Sequence, residues 1–388
     1  MHEAVIVDVV RTPSGRGKPG GQLAGIHPVD LLAGVLEAIV TRSALDPVLV
    51  DDVIGGCVSQ AGEQTSNVTR NALLAAGFPH SVPGTTIDRQ CGSSQQAATF
   101  AAQGVMTGQY DVVIACGVES MSRVPLGSSR AGHDPYGTRF VERYPDGLVG
   151  QGVSAELIAS RWKLDRERLD RFSARSHELA AAAAARGDFE RELVPVGDIA
   201  TDETIRPSTT ASGLAELKPA FRTDALAERF PEIDWRITPG NSSPLTDGAS
   251  AALIMSAERA ASLGLTPRAR FISFAVAGSD PLLMLTGVIP ATARALTRAG
   301  LSINDMDTYE VNEAFAPVPL AWLQEVGADP GKLNPWGGAI ALGHALGSSG
   351  TRLLATMVNY LESSGGRYGL QTMCEGGGMA NATVIERL

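Results

Sequence analysis

Partway along its 388 residues the chain begins again. The first pass reads "EAVIVDVVRTPSG", a buried strand, then "HPVDLLAGVLEAIVTRSAL", whose apolar residues recur at helical spacing. "VDDVIGGCVSQ" is a short buried strand, and "NVTRNALLAAG" is a helix closed by glycine. "GTTIDRQCGSSQQAATFAAQGVMTG" reads as strand, turn and helix, and "YDVVIACGVESMS" as a further strand. The second pass repeats the order: "RARFISFAVAG", "VIPATARALTRAGL", "DMDTYEVNEAFAPVPLAWLQEVG", then "NPWGGAIALGHALGSSGTRLLATMVNYLESSG" as strand, turn and helix, then two closing strands. Gly92-Ser93-Ser94 matches Gly347-Ser348-Ser349, each opening a helix, and the strand that follows is expected to end at Cys116 in one copy and at Cys374 in the other. Alternating strands and helices imply layered α/β architecture, and a repeat of this length implies a duplicated half. Two such halves can aim their helix starts into one cleft, at the carboxyl ends of the strands where α/β proteins bind ligands.

Residues 119–243 interrupt the repeat and are richer in charge, glycine and proline, with one clear helical stretch, "SAELIASRWKLDRERLDRFSARSHELAAAAAARGDF". The expected division is therefore 1–118 plus 244–265 as the first half, 119–243 as an inserted domain, and 266–388 as the second half. The chain is 44% hydrophobic and 19% charged, as a soluble globular protein is. A net charge of −10 with no basic stripe argues against nucleic acid as a partner. No run of 18 or more apolar residues suggests a membrane span. "MHEAVIVDVVRTPSGRG" lacks the basic head and cleavage motif of a signal peptide. The four cysteines, Cys57, Cys91, Cys116 and Cys374, are far apart without CxxC spacing. That disfavours a disulfide framework or a zinc ribbon and points to a reduced, cytoplasmic protein with no metal site.

The chemistry gathers at the turns of the repeat. Cys91 lies at a helix start, where free N–H groups and the helix dipole favour a thiolate. His344 precedes the matching helix start, and a histidine can take the thiol proton. Cys374 stands before three glycines, which let a carbonyl approach backbone N–H groups. Asn312 and Glu313 close an apolar strand, where Asn can hold water or donate to an oxyanion, or simply cap a helix. Taken singly, each of these residues could equally be structural.

"DRQCGSSQQA", "CGVESMSR", "GNSSPLTDGA", "VNEAFA", "GGAIALGHALGSSG" and "CEGGGMA" together, in this order over nearly the whole chain, resemble the thiolase family. The resemblance implies an α/β, five-layered αβαβα fold of two duplicated halves, with an inserted loop domain that binds coenzyme A. It implies that Cys91 accepts the acyl group, that His344 activates it, and that Cys374 is the acid/base. Asn312 would hold a water in one oxyanion hole; the N–H groups of Cys91 and Gly376 would form the other. Arg206 would meet the nucleotide end of coenzyme A, Ala220 and Phe221 would flank the pantetheine, and Ser243 and Phe315 fall on matching positions. Three places depart from the family pattern: Ala345 replaces the proline that usually follows the histidine, Gln151-Gly152 replaces the His-Met pair often seen in the loop domain of biosynthetic members, and Glu375 stands where a small apolar residue is common.

The implied function is a 3-ketoacyl-CoA thiolase of fatty acid β-oxidation type, an acyltransferase similar to degradative actinobacterial members. It would have no tightly bound cofactor and would take coenzyme A and acyl-CoA as substrates. The alternatives are a biosynthetic acetyl-CoA acetyltransferase and, more weakly, an inactive scaffold of the same fold. The segment "GCVSQAGEQTSNVTRNALLAAG" would sit at a tight subunit contact, making the protein a homodimer or homotetramer.

Overall fold

A computed structural model describes residues 2–388. The first half carries β1 (Ala4–Arg11), β2 (Gly15–Arg16), α1 (Pro28–Arg42), β3 (Asp52–Gly56), α2 (Val68–Ala75), β4 (Gly84–Ile87), α3 (Ser93–Thr107) and β5 (Val112–Ser120). Then comes a helical segment with α4 (Thr138–Arg143), α5 (Gln151–Arg161), α6 (Arg166–Arg186), α7 (Ala211–Ala215) and α8 (Asp224–Arg229). β6 (Thr246–Ser256) returns to the first half, and α9 (Ala257–Ser262) leads out of it. The second half carries β7 (Ala269–Gly278), α10 (Val288–Ala299), β8 (Thr308–Val311), α11 (Pro317–Val326), α12 (Ala339–Leu342), α13 (Ser349–Ser364), β9 (Tyr368–Glu375) and β10 (Met379–Arg387).

The strand order is β4-β3-β5-β6-β1-β7-β10-β9-β8. From the β1/β7 seam outward, β1-β6-β5-β3 corresponds to β7-β10-β9-β8, and the first half adds β4; β3–β5 and β8–β9 are parallel and their inner neighbours antiparallel. The seam itself is only two residue pairs, Val5–Arg270 and Ile6–Ala269. On one side, α3 and α13 share a core with strands of both halves, through Ala97, Ala101, Leu354 and Val358. On the outer faces, α1 and α2 cover the first half and α10 and α11 the second. These are the five expected layers. Every residue of β1 is buried, and its near-continuous apolar sequence is what a strand covered on both faces requires.

Four local readings change. The expected single helix of the insert is two, because Lys163 adopts a φ of +53° and Asp165 starts α6 afresh by capping the Arg168 N–H. No strand forms in "NPWGGAIALGH"; only the Tyr309–Leu333 bridge stands where the first half has β4, and the glycines lead into the short α12. β5 runs to Ser120, beyond residue 118, because Glu119 and Ser120 still pair with Gly248 and Asp247. Finally, Cys116 does not end its strand. The last parallel pairs are Gly56–Gly117 in one half and Val311–Thr372 in the other. Two residues further on, Glu119 occupies the place that Cys374 has in the second half, while Cys116 lies in the apolar core.

The central helices meet through glycine. A Cβ on Gly350 would lie 2.0 Å from the backbone nitrogen of Gln95, so α13 can approach α3 only without one. Gly34, inside α1, has nothing within 4 Å of its Cβ position. Gly350→Ala is expected to cost about 1–3 kcal/mol, whereas Gly34→Ala should stabilise by about 0.5–1 kcal/mol. Urea unfolding midpoints of the two variants test this. Equal shifts would contradict the close approach.

Candidate active site

Cys91 is held by the turn before α3. Gln90 adopts a φ of +50°, its N–H donates to Asp88 at 2.6 Å, and the Arg89 N–H donates to Ser93 Oγ at 2.9 Å. Ser93 Oγ in turn donates to the Gln90 carbonyl at 2.6 Å. The thiol is 2% exposed and packs with Leu346, Leu353 and Met373. The Gln151 amide, at the first residue of α5, faces the sulfur. Gly376 adjoins the same amide: a Cβ there would lie 3.2 Å from Gln151 Nε2 and 3.0 Å from Gln90 Oε1. Among the described residues, neither the Cys91 nor the Gly376 N–H donates to a carbonyl. Cys374, near the end of β9, is close enough for the two sulfurs to feel each other's charge.

His344 enters from the other half. Its N–H donates to Thr246 Oγ1 at 2.9 Å. Nδ1 lies 2.7 Å from Ser349 Oγ, which donates to the Ala345 carbonyl at 2.8 Å. With the hydroxyl hydrogen directed there, Nδ1 carries the ring proton and donates to Ser349, leaving Nε2 unprotonated. Nε2 lies 3.4 Å from Asn312 Nδ2. Asn312 is placed by its own N–H, which donates to the Thr372 carbonyl on β9 at 3.1 Å.

Burial sets the charge states. It pushes the Cys91 thiol up to about 12, and Glu375 adds to the push. This reverses the expectation from the helix start: desolvation can move a buried group by about 3–5 units, while a helix terminus contributes about 0.3–1 kcal/mol, under one unit. Burial also brings His344 down to about 3, with the Arg352 charge adding. Cys374 is held well above the usual thiol range, again by burial. The resting pair is a neutral thiol and a neutral imidazole.

Of the residues expected to meet coenzyme A, three form one wall. Phe221 and Phe315 meet edge to face at 5.9 Å, and Ser243 donates to the Ala314 carbonyl through both its N–H and its hydroxyl. Gly152 makes room for Phe221, whose ring would be 2.5 Å from a Cβ there. Ala220 is exposed beside Phe221, its N–H donating to Ile237. Arg206 is not drawn into this group: it is exposed, its backbone N–H donates to His177 Nδ1, and its guanidinium has no ion-pair partner among the described residues. Gln151, which the sequence marks only as a departure in the loop, and Ser349 and Thr246, which stand inside motifs without a stated role, acquire one only where the backbones converge. No cluster of three or more metal-binding side chains occurs among the described residues, and no helix there is long and apolar enough to cross a membrane.

Known proteins resemble this chain along essentially its whole length. Residues 4–258 match the family model for the thiolase N-terminal domain, and residues 265–387 the one for the thiolase C-terminal domain. A steroid 3-ketoacyl-CoA thiolase of Mycobacterium tuberculosis is 48% identical over 400 residues, covering 100% of this chain and 95% of that one. A 3-ketoacyl-CoA thiolase of Marinobacter nauticus is 43% identical, covering 100% and 98%. The crystal structure of the Bacillus anthracis acetyl-CoA acetyltransferase superposes with a TM-score of 0.89 at 37% identity, covering 100% and 99%.

Because His344 is depressed to about 3, it should remain neutral across the range in which exposed histidines gain a proton near pH 6.5. NMR of histidine-labelled protein is expected to show one ring as the Nδ1–H tautomer, unchanged from pH 8 to pH 5. A His344 signal titrating near pH 6.5 would contradict the burial argument.

Proposed function

The chain belongs to the thiolase family, and from that premise we propose that it is a 3-ketoacyl-CoA thiolase, cleaving 3-ketoacyl-CoA with coenzyme A to acetyl-CoA and a shortened acyl-CoA. The observation that carries this reading is that Cys91 packs against Leu346, two residues past His344, and lies within electrostatic reach of Cys374, while the His344 Nε2 is left bare.

In this reading the Cys91 proton passes to His344 Nε2 as the sulfur attacks the 3-keto carbon. The new oxyanion on the keto oxygen meets the N–H groups of Cys91 and Gly376, and the enolate oxygen of the departing acetyl-CoA meets His344 and the water that Asn312 would hold. The carbon–carbon bond breaks, leaving the shortened acyl group on Cys91 as a thioester. The electron pair stays on the acetyl-CoA carbon, which takes a proton from Cys374. Coenzyme A then enters, gives its thiol proton to the Cys374 thiolate and attacks the acyl carbonyl, whose oxygen lies at the N–H groups of Cys91 and Gly376; Cys91 leaves and takes back the proton held on His344. Burial raises every thiol in the resting site, so each proton must leave in concert with attack rather than before it. Differential hydrogen bonding to the oxyanions lowers both barriers. The Phe221–Phe315 wall with Ser243 is the place for pantetheine. Arg206, exposed and uncommitted, is available to the phosphate end of the nucleotide. Coenzyme A acts as a substrate, and no resident cofactor takes part. Four unpaired thiols suit a reducing cytoplasm. A homodimer or homotetramer would use the segment from Gly56 to Gly77 at a two-fold contact.

Ser349→Ala should lower kcat by about tenfold or more with little change in KM, because the base loses the partner that fixes its tautomer. Unchanged kcat would remove Ser349 from the account. Cys374→Ala should still accept an acyl group from acyl-CoA at Cys91, seen as a mass increase of the intact protein, yet barely turn over; wild-type turnover would sink the division of labour between the sulfurs.

A further inference from the structure

Glu375 is used by none of these steps, yet it is buried against the nucleophile. Alternation along β9 sends Cys374 and Glu375 to opposite faces. Cys374 joins the core under α10 and α11, while Glu375 turns toward α3. At Gly92, the point where a Cβ would sit is 2.1 Å from Glu375 Oε1 and 2.8 Å from Asn381 Nδ2. The carboxyl group therefore fills the notch that this glycine leaves at the first turn of α3, directly behind Cys91. Asn381, on β10, donates to the Gly92 carbonyl at 3.0 Å. Both Glu375 oxygens and Asn381 Oδ1 are buried without a hydrogen-bond partner. Asp88 and Arg89 face the carboxyl from the turn before α3, with opposite effects on it, and Cys91 and Cys374 face it from α3 and from its own strand. An ionised carboxylate in this place would lack the hydrogen bonds that make burial tolerable. Burial accordingly pushes Glu375 up to about 8, which leaves the neutral acid as the working form near pH 7.

We propose that Glu375 is a positioning residue for Cys91: the neutral acid seats Gly92 and the first turn of α3, and its ionisation suppresses thiolate formation at Cys91. This rests on reading Cys91 as the nucleophile. A small apolar residue here would fill the notch without carrying a charge. Glu375 adds a brake, because a negative charge beside the sulfur raises the cost of a second one. The sign follows from the direction of the shift: the brake is off below about pH 8 and engages as the pH rises through it.

The test is the rate of Cys91 alkylation by iodoacetamide from pH 6.5 to 9.5, in wild type and in Glu375→Gln, with the labelled cysteine identified by peptide mass spectrometry. Glutamine keeps the shape and cannot ionise. The two rates should agree within about twofold at pH 6.5, and the variant should be about tenfold faster at pH 9.5, one pKa unit of relief. Glu375→Leu, which also fills the notch, should show the same release and answers the question should the glutamine variant fail to fold. Superimposed profiles, or a ratio that is the same at every pH, would overturn the proposal and leave Glu375 as packing only. Label found chiefly on another cysteine would instead overturn the assignment of Cys91 itself.

Discussion

The close crossing of α3 and α13 is the constraint on which the rest of the molecule depends. Each central helix comes from a different half, and each starts beside a reactive side chain. Their first turns approach until backbone meets backbone: a Cβ on Gly350 would lie 2.0 Å from the Gln95 backbone nitrogen. The contact is then fastened by hydrogen bonds. The Thr351 N–H donates to Ser94 Oγ at 3.0 Å, and Ser250 of β6 lies 2.9 Å from Ser348 Oγ. A bulkier residue at these points would separate the helices, and with them Cys91 and the His344 turn. Chemistry that needs a sulfur and an imidazole within one buried volume is thus purchased by backbone that carries no side chain.

Duplication alone would give two equivalent sites, yet the halves are not used equally. Where the second half has Cys374, the first has Glu119. Its carboxylate accepts from the N–H groups of Val58, Ser59 and Gly347 and from Gln64 Nε2, at 2.9–3.0 Å. Four donors satisfy the group and close the space, so the first half's version of the site is filled by its own side chain. Glu375 is the contrasting case, a carboxyl group equally buried and without donors. The difference between the two is the difference between a buried carboxyl group whose oxygens are met by donors and one whose oxygens are not.

Much of this was legible in the sequence because it was written as pattern. Strand–helix alternation, repeated, gave the layers, and the Gly-Ser-Ser turns located both central helix starts. Cys91, His344, Cys374 and Asn312 stand in motifs; the fold brings Asn312 to His344 and Cys374 within electrostatic reach of Cys91. What stayed hidden depends on three-dimensional register. Cys116 looked equivalent to Cys374 because both are cysteines after a strand-like run, but ladder pairing places Glu119 there. The helix start promised a thiolate, but burial outweighs the dipole. Arg206, expected beside the nucleotide, makes no contact that ties it to the thiols, since exposed arginines are positioned by ligands more than by their own chain. Gln151 stands out in the sequence only as a departure in the loop, and Ser349 only as part of a Gly-Ser-Ser turn; that one faces a sulfur and the other an imidazole is visible only in the fold.

The central claim is that helix starts from two halves build one acyl-cysteine site. It is tested most directly by rapid mixing of the enzyme with a 3-ketoacyl-CoA in the absence of free coenzyme A. The account predicts a burst of acetyl-CoA equal to the concentration of sites, with the shortened acyl group recovered on the Cys91 peptide. Absence of a burst, or an acyl group recovered on any other residue, would contradict it.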